Sequence, residues 1–261
     1  MTTASNTVLA EGFQAPGPGA FELPPVFGDV TKPMLLLVLS VGLIAGLFWV
    51  ASRRAAVVPS RVQFAGEYAY NFARNSIARD SIGSEHFRKF VPYITALFFF
   101  VLVNNLYGLM PFLQFPSFSR ASFAYGLAAL TWLLYNGVGI WKHGLLGYLK
   151  LQTIPGGVKG PILGLIIPLE FFSNILVRPF TLALRLFANM FAGHLLLMLF
   201  VLGGEYLIFD SGEALYAPVG ALSLIMALAV SFLELLVMSL QAYVFALLTA
   251  MYIGGALADE H

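Results

Sequence analysis

Residues 214–258 read ALYAPVGALSLIMALAVSFLELLVMSLQAYVFALLTAMYIGGALA, and Glu234 is the only charged residue in the run. A bilayer crossing takes about 20 apolar residues at 1.5 Å rise each. This stretch is too long for one perpendicular span. Residues 160–204 repeat the pattern, apolar apart from Glu170, Arg178, Arg185 and His194. Helices of this length must tilt, kink or divide in two, and Pro161, Pro168 and Pro179 offer breaks in the earlier run.

Three shorter apolar stretches precede them. Pro33–Ser52 lies between Lys32 and Arg53, Phe90–Ser119 between Lys89 and Arg120, and Ala121–Trp141 between Arg120 and Lys142. The composition of the 261 residues agrees: 59% are hydrophobic, 10% are charged, and mean hydropathy is +0.84. So few charges cannot cover a water-soluble domain, which excludes soluble enzymes and disordered chains. With no cysteine there is no disulfide scaffold, thiolate zinc site or thiol nucleophile, and a net charge of +1 gives no bulk attraction to nucleic acid. The expected fold is an all-α polytopic membrane protein of about five membrane helices.

Residues 60–89 are different. Arg61, Glu67, Arg74, Arg79, Asp80, Glu85, Arg88 and Lys89 alternate with Val62, Phe64, Tyr68, Phe72 and Ile77, the pattern of an interfacial amphipathic helix. Residues 1–32 form an extracytoplasmic segment rich in Pro and Gly, and residues 33–261 one membrane domain containing a helical hairpin at about 160–258. Orientation follows from the cations, which collect in cytoplasmic loops. With the N-terminus outside, Arg53, Arg54, Arg61, Arg74, Arg79, Arg88, Lys89, Lys142, Lys150 and Lys159 are all cytoplasmic, and only Lys32 and Arg120 face out. The loop holding Glu205, Asp210 and Glu213 then also faces out. The N-terminal residues carry neither a basic start before an apolar core nor an Arg-rich, Ser-rich leader, which favours a bacterial plasma membrane over the mitochondrial inner membrane.

A charge at bilayer depth costs about 2.5 to 3.5 kcal/mol on insertion scales, so each one is a functional hypothesis. Arg185 stays charged and cannot relay a proton; its use is electrostatic. On a helix Arg178, Thr181, Ala188, Asn189 and Ala192 fall within about 60° of it, a small and polar face, while His194 lies about half a turn away. Small residues let another surface approach the guanidinium closely. The last helix carries Ser223, Ala227, Ser231, Glu234 and Gln241 on one face. Glu234 and His194 can gain and lose protons, as a proton path needs.

Blander readings compete. Arg185 and Glu234 could form a buried ion pair in a scaffold. Asn104, Asn105, Asn189 and Gln241 fit interhelical hydrogen bonding, and Gly42-xxx-Gly46 fits close helix contact. A transporter or ion channel with a midplane site at Arg185 and Glu234 is a further alternative, although the halves show no inverted repeat. There is no His-Glu-x-x-His or Gly-x-Ser-x-Gly, and Gly156-Gly-Val-Lys159 lacks the spacing of a phosphate-binding loop.

Two segments, RPFTLALRLFANMFAGH (178–194) and ELLVMSLQAYVF (234–245), closely resemble the two signature regions of subunit a of the F-type ATP synthase. The order, spacing and interfacial helix fit as well, over about residues 30 to 256. The resemblance implies two long tilted helices against a ring of c subunits, flanking two aqueous half-channels that do not meet. It implies that Arg185 separates them, that Glu234, His194, Asn189 and Gln241 belong to the outer one, and that Glu170 belongs to the inner one. In many bacterial relatives the His194 position is acidic and the Glu234 position is His; here the pair is exchanged. The family brings as partners the c ring, b-type peripheral stalk subunits, the F1 sector indirectly, and membrane lipid. It implies no cofactor, and ATP chemistry in partner subunits.

Overall fold

A computed structural model describes residues 13, 15–53, 56, 59–154, 162–211 and 214–258. The readings that fall on the first twelve residues and on Arg54, Lys159, Pro161 and Glu213 lie outside the described residues. Among the described residues, five helices are long and apolar enough to cross a membrane: Lys32–Ser52, Phe87–Leu106, Ala121–Thr153, Leu163–Asp210 and Ala217–Leu257. The chain is an all-α polytopic membrane protein. Many large apolar side chains face outward, Phe232 and Leu233 among them, while the polar Ser40, Asn104, Asn105, Thr131 and Thr249 are buried beside an apolar core. That is the arrangement expected when the surrounding solvent is lipid.

A short hairpin, β1 (Pro25–Phe27) and β2 (Val30–Thr31), leads into α1 (Lys32–Ser52), whose first turn holds Pro33, where a missing N–H costs nothing. The Gly42 and Gly46 positions have nothing within 4 Å of where a β-carbon would stand, so the expected close helix contact there is not made among the described residues.

Ser60 caps α2 (Arg61–Asn71) by accepting from the Gln63 amide at 3.3 Å. The helix runs on through a π-helical stretch at Phe72–Arg79 and the turn α3 (Asp80–Ile82), ending at Gly83. Ala73, Ile77 and Ala78 are buried, with Phe72 packed on Phe98 and Tyr243, while Val62, Phe64 and Tyr68 are exposed. The amphipathic reading of residues 60–89 thus corresponds to a helix with one face packed on the bundle.

The apolar stretch Phe90–Ser119 is only partly helical. α4 (Phe87–Leu106) stops where Gly108, Pro111 and Pro116 begin to interrupt the chain. The remaining apolar residues form a folded loop whose Tyr107, Phe115 and Phe118 are buried. Asn104 donates to Ser40 Oγ of α1 at 2.8 Å, and Asn105 to the Met238 carbonyl at 3.3 Å, so both tie helices together.

α5 (Ala121–Thr153) outlasts the expected Ala121–Trp141 span but is not straight. Gly144, at φ +71°, takes a conformation that L side chains rarely adopt, and the chain turns back so that Tyr148 lies on Gly139. The run after residue 162 is one helix, without the expected break at a proline: α6 (Leu163–Phe171), a π-helical stretch at Phe172–Val177, and α7 (Arg178–Glu205) are continuous. Pro179 has no N–H for the carbonyl four residues back, that of Ile175. Trp132 of α5 supplies the missing donor, its indole nitrogen lying 2.8 Å from that oxygen.

α8 (Ala217–Leu257) is a single helix of 41 residues, about 60 Å long. It runs antiparallel to α7. Its last carbonyl, that of Leu257, accepts from Lys142 at 2.6 Å, a cation on the negative end of the helix.

Candidate functional site: two cavities either side of Arg185

The α7–α8 hairpin brings its polar residues together at successive levels. Ser223 Oγ donates to the Phe200 carbonyl at 2.8 Å, His194 Nδ1 stands 3.9 Å from Glu234 Oε1, and Asn189 Nδ2 donates to Gln241 Oε1 at 2.9 Å. His194, Glu234 and Gln241 are buried, at 6%, 3% and 3% exposure. Four predicted site residues therefore form one column between the helices. Neither Glu234 oxygen, nor His194 Nδ1, nor Gln241 Nε2 has a hydrogen-bond partner among the described residues. Buried polar atoms of this kind need water or an exchanging proton.

Arg185 is not part of that column. It projects from the exposed side of α7 beside Thr181, Ala188 and Ala192, all exposed, and makes no ion pair among the described residues. His194 is nine residues further along, about 13 Å. The structure does not bring Arg185 and Glu234 together, so the ion pair of a scaffold is not formed. What it leaves is a guanidinium without an ion-pair partner among the described residues, on a face of small residues within a helix long and apolar enough to cross a membrane.

A cavity of about 420 Å³ opens at His194, lined by Gly108, Gln114, Met198 and Ser231 among others. Its floor comes from the loop after α4, where Gln114 has φ +46°. Phe21, from the segment before α1, is 4% exposed and packs on Phe115, Phe191 and the His194 ring at 6.2, 4.8 and 6.0 Å. The N-terminal segment therefore reaches this cavity, and nothing in its sequence distinguishes Phe21 from any other loop aromatic.

A second cavity, also about 420 Å³, lies on the other side of Arg185, between the end of α8 and the beginning of the α6–α7 helix. Glu170, Asn174, Arg178, Gln152 and Tyr252 line it. Asn174 Nδ2 donates to Glu170 Oε2 at 2.9 Å, and the Arg178 guanidinium lies over the Tyr252 ring at 5.3 Å. Glu170 thus lines a cavity separate from the His194–Glu234 column. Asn174, Gln152 and Tyr252 were missed. Asn174 could have been found, since it stands four residues after Glu170 on the same helix face. Gln152 could not, because only the turn at Gly144 brings it there. Among the described residues no group of three His, Asp or Glu side chains is arranged to hold a metal ion.

The comparisons with known proteins point the same way. The family described as ATP synthase A chain matches residues 34–254. A protein of Nocardioides sp. named ATP synthase subunit a is 57% identical over the whole of both chains. Proteins of the same name from Pseudarthrobacter chlorophenolicus and Streptomyces lividans are 48% and 43% identical, covering 95% and 96% of this chain and 95% and 90% of their own. With both signature segments inside the matched region and full-length relatives at this identity, the chain belongs to the ATP synthase subunit a family.

Proposed function

We propose that this chain is the ion-conducting stator subunit of a rotary ATP synthase, carrying protons between two aqueous half-channels and the carboxylates of a rotating c ring. One observation carries the reading: two separate cavities, each with a titratable side chain in its wall, open on either side of Arg185, which makes no ion pair among the described residues and stands on an exposed face of small residues. A single through-channel would need one continuous cavity. A binding site for an anion would need donors converging on Arg185; Ala188 and Ala192 have none, and the Thr181 hydroxyl donates to the Val177 carbonyl at 2.9 Å.

The orientation is set by the cations, with the N-terminus outside and the C-terminus cytoplasmic in a bacterial plasma membrane. The His194 cavity is then the outer half-channel and the Glu170 cavity the inner one. A proton enters past Ser231, exchanges on the His194–Glu234 pair, and passes the Asn189–Gln241 level to a ring carboxylate. Once neutral, that carboxyl can turn into lipid at little cost. On return it meets Arg185, which favours the ionised site, and the proton leaves through the Glu170 cavity. Because the arginine cannot give up its own proton, it blocks a direct leak between the cavities. Each charge crossing 100 mV releases about 2.3 kcal/mol, so several protons drive each ATP made elsewhere.

In this reading the chain catalyses no ATP chemistry itself. The α7–α8 hairpin lies tilted against the ring, since α8 is about 60 Å long and the hydrocarbon about 30 Å thick. Residues 33–261 form the membrane domain that holds the ring, b-type stalk subunits and, through them, the F1 sector in register.

The chain contains no cysteine, so an introduced thiol is unique within it. Ser231→Cys and Met251→Cys each place one in a different cavity. In assembled complex in vesicles of both orientations, a membrane-impermeant thiol reagent should reach the first only from the outside and the second only from the cytoplasmic side. Labelling of both from the same side would overturn the two-channel reading.

A further inference from the structure

Beyond Gly144 α5 turns back and its last turn lines the Glu170 cavity, and a series of hydrogen bonds runs through the returned segment. Tyr148 is 2% exposed and its ring occupies the space where a β-carbon on residue 139 would stand, so this packing requires Gly139. Its hydroxyl donates to Asn136 Oδ1 at 3.0 Å and accepts from Gln152 Nε2 at 2.9 Å. The Gln152 main-chain carbonyl accepts from Asn174 Nδ2 at 2.6 Å, and the same nitrogen donates to Glu170 Oε2 at 2.9 Å. A tyrosine hydroxyl has one hydrogen and a side-chain amide nitrogen has two. Every hydrogen at Tyr148 Oη and Asn174 Nδ2 is therefore committed, and neither group has one to pass on.

We propose that Tyr148 and Gln152 are positioning residues for Glu170. The turned-back part of α5, seated on Gly139, holds Asn174 by the Gln152 carbonyl, and Asn174 holds one oxygen of Glu170. The other oxygen, Oε1, has no hydrogen-bond partner among the described residues and is the one left to exchange protons with the cavity. A glutamate has three rotatable bonds, and without this restraint its carboxylate spreads over several rotamers. The inference rests on the reading of Glu170 as part of the inner half-channel.

The test is passive proton conductance in vesicles carrying the assembled membrane sector with F1 removed, with subunit stoichiometry checked on the same samples. Tyr148→Phe keeps the ring on Gly139 and removes the hydroxyl, leaving Asn136 and Gln152 each short of a partner. It should lower conductance about fivefold, the effect of one lost buried hydrogen bond. Gln152→Leu, which keeps its main-chain carbonyl, should act in the same direction and more weakly. Glu170→Gln should lower conductance by itself, and Tyr148→Phe added to it should have no further effect, because the hydroxyl acts through that carboxylate. Wild-type conductance in both Tyr148→Phe and Gln152→Leu would overturn the inference, as would an equal loss with and without Glu170. If Glu170→Gln alone conducts at the wild-type rate, the half-channel assignment of Glu170 fails and takes this inference with it.

Discussion

His194 and Glu234 are buried and face each other across the α7–α8 interface, their nearest polar atoms 3.9 Å apart. If the pair is the exchanging station of the outer half-channel, its composition matters more than which helix carries the acid. Opposite charges at this distance attract by about 4 kcal/mol at an effective dielectric of 20, an upper bound, while a charge-assisted hydrogen bond contributes about 1.5 to 3 kcal/mol. Taking about 2 kcal/mol for the step that uses the pair, His194→Ala should slow proton transfer about thirtyfold. The exchanged double variant, His194→Glu with Glu234→His, keeps one acid and one imidazole at the same level. It should stay within about threefold of wild type, the cost of imperfect repacking. The assay is ATP-driven acidification of inverted vesicles, followed with a quenched dye, alongside passive conductance. The reasoning fails if His194→Ala pumps at the wild-type rate, or if the exchanged variant is as slow as His194→Ala.

Three further outcomes test the surrounding structure. Trp132→Phe leaves the Ile175 carbonyl without the donor that Pro179 cannot provide and should cost about 1 to 3 kcal/mol, read as a lower unfolding temperature in detergent; an unchanged midpoint would mean that another group satisfies that carbonyl. Gly144→Ala forces a side chain into φ +71° and should destabilise by about 1 kcal/mol, with proteolysis increased in residues 145–153 if the turn opens. Asn189→Leu strips Gln241 Oε1 of its donor and should reduce pumping about tenfold while ring association persists; full activity would remove the Asn189–Gln241 level from the proposed path.

The spans were legible because lipid imposes a length and an exclusion of charge that few other environments impose, so Glu234 and Arg185 stand out against Leu and Phe. Helix ends were less legible. Hydropathy does not distinguish an apolar helix from an apolar loop packed inside the protein, and Tyr107, Phe115 and Phe118 are buried in such a loop. Prolines misled in the opposite direction: Pro168 and Pro179 sit within a continuous helix because a π-helical stretch and the Trp132 indole absorb what they remove. In the site, the positions of His194, Glu234, Asn189 and Gln241 could be read from helical periodicity plus the resemblance, since each lies on a regular helix. Their pairing across α7 and α8 needed the register of two antiparallel helices, which no single segment encodes. Gln152, Tyr148 and Phe21 reach the cavities only through tertiary folding, the first two by the turn at Gly144 and the third by the return of the N-terminal segment over α7.

The most direct measurement concerns Arg185. In inverted vesicles carrying Arg185→Ala, ATP-driven proton pumping and passive proton flux are recorded together, with assembly of the complex verified on the same membranes. The account predicts that pumping is lost while the complex remains assembled and passive flux is undiminished or raised, because the barrier between the two cavities has gone. Pumping at the wild-type rate would contradict it: the arginine would then be structural, and the two cavities would not be halves of one proton path.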